Sequence, residues 1–343
     1  MEPPAIATVG TEQVLTMMRV LLVRLGVALL AAGAVQGGSD TPPYSQVARV
    51  PAIVDGQGFS SFAFDPIDRR MYAGSREGVF WVDLREKDPR IKGPLIRKRI
   101  DTIEVAPDAG RLFYTTLDEL GYVNLRTNEP PRTLAGRPWR TARLAYEPTR
   151  KEMYVATRES GIVVYDTDNG ERGPVIELPG WYATMLEAVP GKVFFSVADK
   201  SGLFVIDAAT HTLAPWPVKG PLVTPAYLDA DPSGQYLFAT YDKHLVAIDI
   251  PTATVVARLT TATGARIAFD PERRLLVVSQ IDQPGQPRIR LRAYSVSAAG
   301  FTEVAELRNP DDGLGGLESF SGGFLQQGFR SLLFWTASPL AAR

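Results

Sequence analysis

Three groups of residues in this chain have the chemistry to bind or transform a ligand. Carboxylates recur at Asp65, Asp83, Asp166, Asp207, Asp231, Asp249 and Asp270. Arginines and aromatic residues gather at Arg76, Arg99, Trp139, Arg140, Arg158, Trp181 and Tyr182. Separate acids stand at Glu104, Glu187 and Glu318, with a further pair at Asp311 and Asp312. The first group is too regular for catalysis. An active site draws different residues from different places, whereas one carboxylate after every apolar segment serves the chain's own turns. Asp or Asn at a strand end accepts hydrogen bonds from N–H groups two residues on, and an adjacent Pro fixes φ. These seven are read as scaffold.

The second group has a sharper reading. Guanidinium groups beside aromatic rings suit an anionic or aromatic ligand, through bidentate bonds and stacking. The plainer alternative is a solvated rim in which the arginines pair with Glu77, Glu119 and Glu159. His244 stands where four other repeats carry Gly78, Gly121, Gly161 and Gly202. It would put an imidazole at a pocket mouth as a general base, or it is a surface substitution. His211 falls in a turn expected at the opposite end. Asp311 and Asp312, beside Gly313, have the hard oxygens that calcium or another divalent metal takes, although acidic Gly-rich loops are commonly just solvated. No other cofactor is expected.

The elements that must position these residues come from a repeat. Prolines at Pro66, Pro107, Pro148, Pro190, Pro232 and Pro271 each follow an apolar segment, at intervals close to forty residues. Each precedes a β-rich stretch such as Met153-Tyr-Val or Tyr236-Leu-Phe, then a further strand that closes on a small polar residue. Four short strands per unit, rich in β-branched and aromatic residues, predict an all-β fold: a seven-bladed β-propeller of mostly four-stranded antiparallel blades. The seventh unit, 317–338, is short. Residues 44–53 are expected to join it as an outer strand and close the ring, leaving a blade of only three strands. Two insertions, 280–287 and 308–318, lengthen the sixth second-to-third strand turn and the seventh loop leading into an innermost strand. In a propeller these lead-in loops and the second-to-third strand turns share one face. Arg76, Arg99, Trp139, Arg140, Arg158, Trp181, Tyr182 and His244 belong to it.

Composition sets outer bounds. With a formal charge of −1 the chain lacks the broad basic field of a nucleic-acid binder. With no cysteine and only two histidines it excludes disulfides, thiolate metal sites, covalently attached haem and multi-histidine centres. Arg19 and Arg24 precede the apolar run Leu25–Val35, and Ala32 and Ala34 offer an Ala-x-Ala cleavage pattern. Residues 1–40 are therefore expected to be an upstream extension and signal peptide, and 41–343 a single propeller domain. The mature chain is expected to be exported to the periplasm or the extracellular space, without a membrane span and as a monomer.

Asp-Pro, Tyr154-Val155-Ala156-Thr157 and the following Gly-Ile-Val-Val-Tyr-Asp resemble the YVTN-type β-propeller repeat, in the lactonase-like superfamily. The resemblance covers residues 55 to 308; it is specific for fold and poor for function, and implies an exported bacterial propeller of a family in which some members bind partners or nucleic acid. It also implies a rival: a lactonase-like hydrolase or isomerase using axial-channel carboxylates, with or without a divalent metal. Glu104, Glu187 and Glu318 would be those carboxylates, because they fall on or beside predicted innermost strands. The expected function is a binding module for an unknown protein or a small anionic or aromatic ligand, with no recognisable catalytic set. Nucleic-acid binding through the Arg-rich face ranks last.

Overall fold

Apolar segments of four to six residues, broken by Pro and Gly, are too short to propagate a helix and long enough for a strand. The computed structural model describes residues 44–51, 59–127, 129–136, 143–157, 161–178, 181–197, 201–220, 225–262, 264–283, 286–307, 317–320, 322–327 and 331–336, and every regular element among them is a β-strand. The expected export signal lies outside the described residues, as do Trp139, Arg140, Arg158, Asp311 and Asp312. No helix among the described residues is long and apolar enough to cross a membrane.

The first strand among the described residues is β1 (Ser45–Pro51). Blade 1 follows as β2 (Ser61–Asp65), β3 (Arg70–Gly74), β4 (Val79–Asp83) and β5 (Lys92–Ile96). Blade 2 is β6 (Thr102–Ala106), β7 (Arg111–Thr115), β8 (Glu119–Asn124) and β9 (Arg132–Gly136). Blade 3 is β10 (Arg143–Glu147), β11 (Glu152–Thr157), β12 (Gly161–Asp166) and β13 (Arg172–Ile176). Blade 4 is β14 (Ala183–Val189), β15 (Lys192–Val197), β16 (Leu203–Asp207) and β17 (Thr212–Trp216). Blade 5 is β18 (Tyr227–Ala230), β19 (Tyr236–Tyr241), β20 (His244–Asp249) and β21 (Thr254–Thr260). Blade 6 is β22 (Arg266–Asp270), β23 (Leu275–Gln283), β24 (Gln286–Ser297) and β25 (Gly300–Leu307). Blade 7 is β26 (Leu317–Phe320), β27 (Gly323–Gln327) and β28 (Ser331–Thr336), with β1 antiparallel on the outer side of β28. Every blade thus has four strands, so the expectation of a three-stranded last blade is corrected. The N-terminal strand closes the ring, as the sequence predicts.

What holds the ring together is the material between blades. Successive residues of a strand point to opposite faces, and a blade has a neighbour on each face. On β11, Tyr154 and Ala156 pack towards blade 4, and Met153 and Val155 towards blade 2. All four are buried, which is why this strand is continuously apolar rather than alternating. Each adjacent pair of blades encloses one apolar cluster, and blade 7 shares one with blade 6 and another with blade 1. Burying a large side chain at such a junction contributes about 1.5–3 kcal/mol.

The recurrent carboxylates serve turns. Asp65 accepts the Ile67 N–H at 2.9 Å, Asp166 the Asp168 N–H at 2.8 Å, Asp231 the Ser233 N–H at 2.9 Å and Asp270 the Glu272 N–H at 3.0 Å. In blade 3 the role passes to Glu147, which takes the Thr149 and Arg150 N–H groups and also reaches Gly191 N–H of blade 4 at 2.7 Å. Asp166→Ala is expected to cost about 1–2 kcal/mol in urea denaturation without changing the fold, because its carboxylate accepts the Asp168 and Asn169 N–H groups and each such bond is worth about 1 kcal/mol.

One expectation fails in an instructive way. The insertion at 280–287 does not loop out. It continues the ladder, with Ile281 opposite Ile289 and Gln283 opposite Gln286 across an irregularity. β23 and β24 are therefore nine and twelve residues long. A hairpin satisfies backbone N–H and C=O groups that an open loop would leave to solvent.

Candidate functional site at the axial cavity

The innermost strands carry a pattern that is visible once they are aligned on the proline that ends each of them. Three residues before Pro66, Pro107, Pro148, Pro190, Pro232 and Pro271 stand Ala63, Glu104, Ala145, Glu187, Asp229 and Ala268. Glu318 takes the same place in blade 7, opposite Leu325. Each position is either a carboxylic acid or alanine. The short alanines leave room at one level for four acids from seven converging strands. Glu104, Glu187, Asp229 and Glu318 all line a cavity of about 610 Å³ on the axis.

Each acid is wrapped by protein, and the part of it that stays accessible faces the cavity. Burial disfavours the charged form. It pushes Glu104 up to about 8 and Asp229 up to about 7, and it holds Glu187 and Glu318 well above the ordinary carboxylate range. Glu187 is raised further by Asp229, Glu104 and Glu318, and Glu318 by Glu104 and Asp229. Asp229 resists the trend because the Phe269 N–H donates to it at 2.6 Å and the Ala230 N–H at 2.8 Å. It is therefore the first of the ring to ionise. Among the described residues, no three acids or histidines are grouped closely enough to hold a metal ion.

A second tier stands two residues back along the same strands, about 6–7 Å nearer the lead-in loops. It holds Arg143 and Arg266, the first residues of β10 and β22, and Tyr227, the first of β18; all three line the cavity. The Arg266 guanidinium lies 3.8 Å from the centre of the Tyr227 ring. Arg143 donates through Nε to the Thr184 carbonyl at 3.1 Å.

The residues that the sequence singles out fall in several places. Glu104, Glu187 and Glu318 come together at the axis. Arg76 is exposed on the β3–β4 turn, and Arg99, also exposed, lies 3.6 Å from Asp101. Glu119 is held by Lys98 at 2.6 Å and by the Tyr114 hydroxyl at 3.0 Å, as a self-paired rim would require. Beside it Lys98, Arg99, Leu117 and Asp118 line a shallower hollow of about 430 Å³. Trp181 is half-buried and packs on Phe204 at 5.4 Å, within the core between blades 3 and 4. Its neighbour Tyr182 is exposed.

His244 is not at the cavity mouth. It opens β20 directly opposite Tyr241, with the two rings 5.5 Å apart. The left-handed turn conformation that Gly78, Gly161 and Gly202 supply elsewhere is here taken by Asp242, at φ 47°. The tighter turn therefore needs no glycine at position 244. His211 lies at the other end of the ring and binds Glu152 of blade 3 at 3.0 Å, tying blade 4 to its neighbour.

Asp229, Arg143 and Arg266 escape a reading by repeats. In blade 5 the carboxylate nearest the proline is Asp231, which hides Asp229 two residues earlier. The two arginines open strands, at positions that no repeat signal marks. Alignment on the prolines would have exposed all three.

Four-stranded blades in a closed ring of seven define a β-propeller. No protein-family model matches the chain, and no curated protein is significantly similar to it. Among solved structures it is similar to a chain of a mitotic checkpoint complex, with a TM-score of 0.69 and 11% identity over 89% of this chain and 96% of that one. It is also similar to the β-propeller domain of Cps50 (Swd1) from Myceliophteria thermophila, with a TM-score of 0.65 and 14% identity over 86% of this chain and 100% of that one. At such identities the likeness is one of fold.

Proposed function

We propose that this chain is an exported, non-enzymatic propeller of the YVTN type that binds a protein or a small anionic or aromatic ligand on the face where its lead-in loops meet the second-to-third strand turns. The observation that carries this reading is the division of polar residues between the two ends of the ring. At one end the recurrent carboxylates are occupied by backbone N–H groups of their own turns. At the other, Arg76, Arg99, Leu117 and Tyr182 are exposed, and Arg143 and Arg266 line the end of the axial cavity nearer that face. A propeller of similar fold is part of the mitotic checkpoint complex, which supports assembly as a use of this architecture. The test is native purification from the protein's own cells. The double variant Arg76→Glu/Arg99→Glu is expected to lose a co-purifying partner that Asp168→Lys, at the opposite end, retains. A partner kept by the first and lost by the second would overturn the reading.

One observation favours a second reading, hydrolysis or isomerisation of the lactonase-like kind. Glu104 and Asp229 share a cavity with values of about 8 and 7, so an acid and a base coexist there near neutral pH. Lactone turnover abolished by Glu104→Gln would establish it, and absence of turnover in the intact protein would dismiss it. A stoichiometric divalent metal in that protein would add a Lewis acid to the scheme.

A further inference from the structure

Arg143 and Arg266 belong to blades 3 and 6, three places apart in a ring of seven, so they face one another across the axis. Both line the same cavity. They are close enough for Arg143 to lower the pKa of Arg266, whose burial already lowers it. Among the described residues neither has an ion-pair partner. The four acids one tier deeper are not that partner, since no arginine figures among the groups that shift them. Two guanidinium groups that repel each other across a partly desolvated space are stabilised by an anion placed between them. Arg266 is pre-oriented by stacking on Tyr227 at 3.8 Å, and Arg143 by the Thr184 carbonyl at 3.1 Å. A planar fork held in place matches a carboxylate bidentately. The volume of about 610 Å³ lies within the range of small-ligand sites.

We propose that the mouth of the axial cavity is a binding site for a dicarboxylate, gripped between Arg143 and Arg266. Such an anion comes either as a free small molecule or as neighbouring acidic side chains of a peptide. Phe62 and Met185 line the same cavity and supply apolar contact for the carbon chain between the two carboxylates. The titratable side chains that line the cavity are Glu104, Glu187, Asp229, Glu318, Tyr146, Tyr227 and the two arginines themselves. While the acids are protonated they do not compete with the ligand for the arginines, and they offer O–H donors. As they ionise they repel it. Affinity is therefore expected to fall as pH rises from 6 to 9.

The inference rests on the reading that the lead-in face is the working one, yet it stands or falls separately, because Arg76 and Arg99 do not line this cavity. The experiment is calorimetric titration of the intact protein at pH 6.5 with succinate and, in a second arm, with a tetraglutamate peptide. Binding is expected in at least one arm, weakened at least tenfold by Arg143→Gln and by Arg266→Gln and unchanged by Arg90→Gln, a remote arginine paired with Asp88. Arg143→Gln is the safer variant, since Arg143 is exposed at the mouth; circular dichroism confirms that each variant is folded. Tighter binding of succinate identifies a free small molecule, and tighter binding of the peptide an acidic segment of a protein. Glu104→Gln is expected to flatten the fall of affinity with pH. No binding in either arm, or binding indifferent to both mouth arginines, overturns the proposal. Loss of the co-purifying partner on Arg76→Glu/Arg99→Glu with intact succinate binding would show that rim and mouth act independently.

Discussion

Tyr44→Ala is expected to lower the free energy of unfolding by about 3–5 kcal/mol, the range for removing a large buried aromatic side chain. Tyr44 is 1% exposed and stands just before β1, the strand that closes the ring. Its ring meets Phe324 of blade 7 edge-on at 5.2 Å, and its hydroxyl donates to Asp270 of blade 6 at 2.9 Å. Burial pushes the phenol far above its ordinary range, with Asp270 adding to the effect, and burial also raises Asp270. Asp270 receives the Gly322 N–H as well, so one carboxylate joins the first described residue of the chain to blades 6 and 7. Tyr44→Phe keeps the packing and removes only the hydroxyl; a loss of about 1–2 kcal/mol is expected, since the acceptor retains its backbone donors. Denaturant titration separates the two variants. Equal losses would mean that the hydroxyl, and not the buried ring, ties the N-terminal strand down.

The second large effect is a pH dependence opposite to that of ordinary carboxylates. Glu104 has a folded value of about 8 against an ordinary 4.5, so between those values the folded state holds a proton that the unfolded chain releases. Stability then falls as pH rises, by linkage. The contribution is complete below the unfolded value and is gone once pH has passed the folded one. Asp229, at about 7, adds to the same window from a lower starting point. A shift of this size would correspond to several kcal/mol for a fully desolvated group, and because both acids are partly exposed to the cavity the contribution is taken as about 2 kcal/mol. The melting temperature is expected to drop between pH 5 and pH 8 by on the order of 3 °C. Glu104→Gln should flatten that drop and melt higher than the parent at pH 8. A parent protein more stable at pH 8 than at pH 5 would show that the ring ionises freely.

The fold was legible because the repeat states it six times and because turn chemistry is local. An Asp beside Pro fixes a turn whatever surrounds it, so Asp65, Asp231 and Asp270 could be placed from the sequence. Even the joining of the two chain ends follows from the cost of an unpaired strand edge. The axis was legible only in part. Glu104, Glu187 and Glu318 break the apolar run of their strands and announce themselves. Asp229 sits beside a second aspartate that looks like the scaffold residue of its repeat. Arg143 and Arg266 acquire meaning only from ring closure, which sets blades 3 and 6 face to face across a gap no linear pattern encodes. His244 misled for the converse reason. A missing glycine reads as a functional substitution, until the left-handed residue is found two positions earlier at Asp242.

The most direct test of where this protein works is a photoreactive amino acid placed at single sites in the intact chain, in its own cells. Arg99 and Tyr182 mark the lead-in face, and Ile67 and Asp168 the turns at the opposite end, where Ile67 is also exposed. A discrete cross-linked product from the first pair, with none from the second, is the expected result. Products from Ile67 and Asp168 alone, or equally from all four sites, would contradict it.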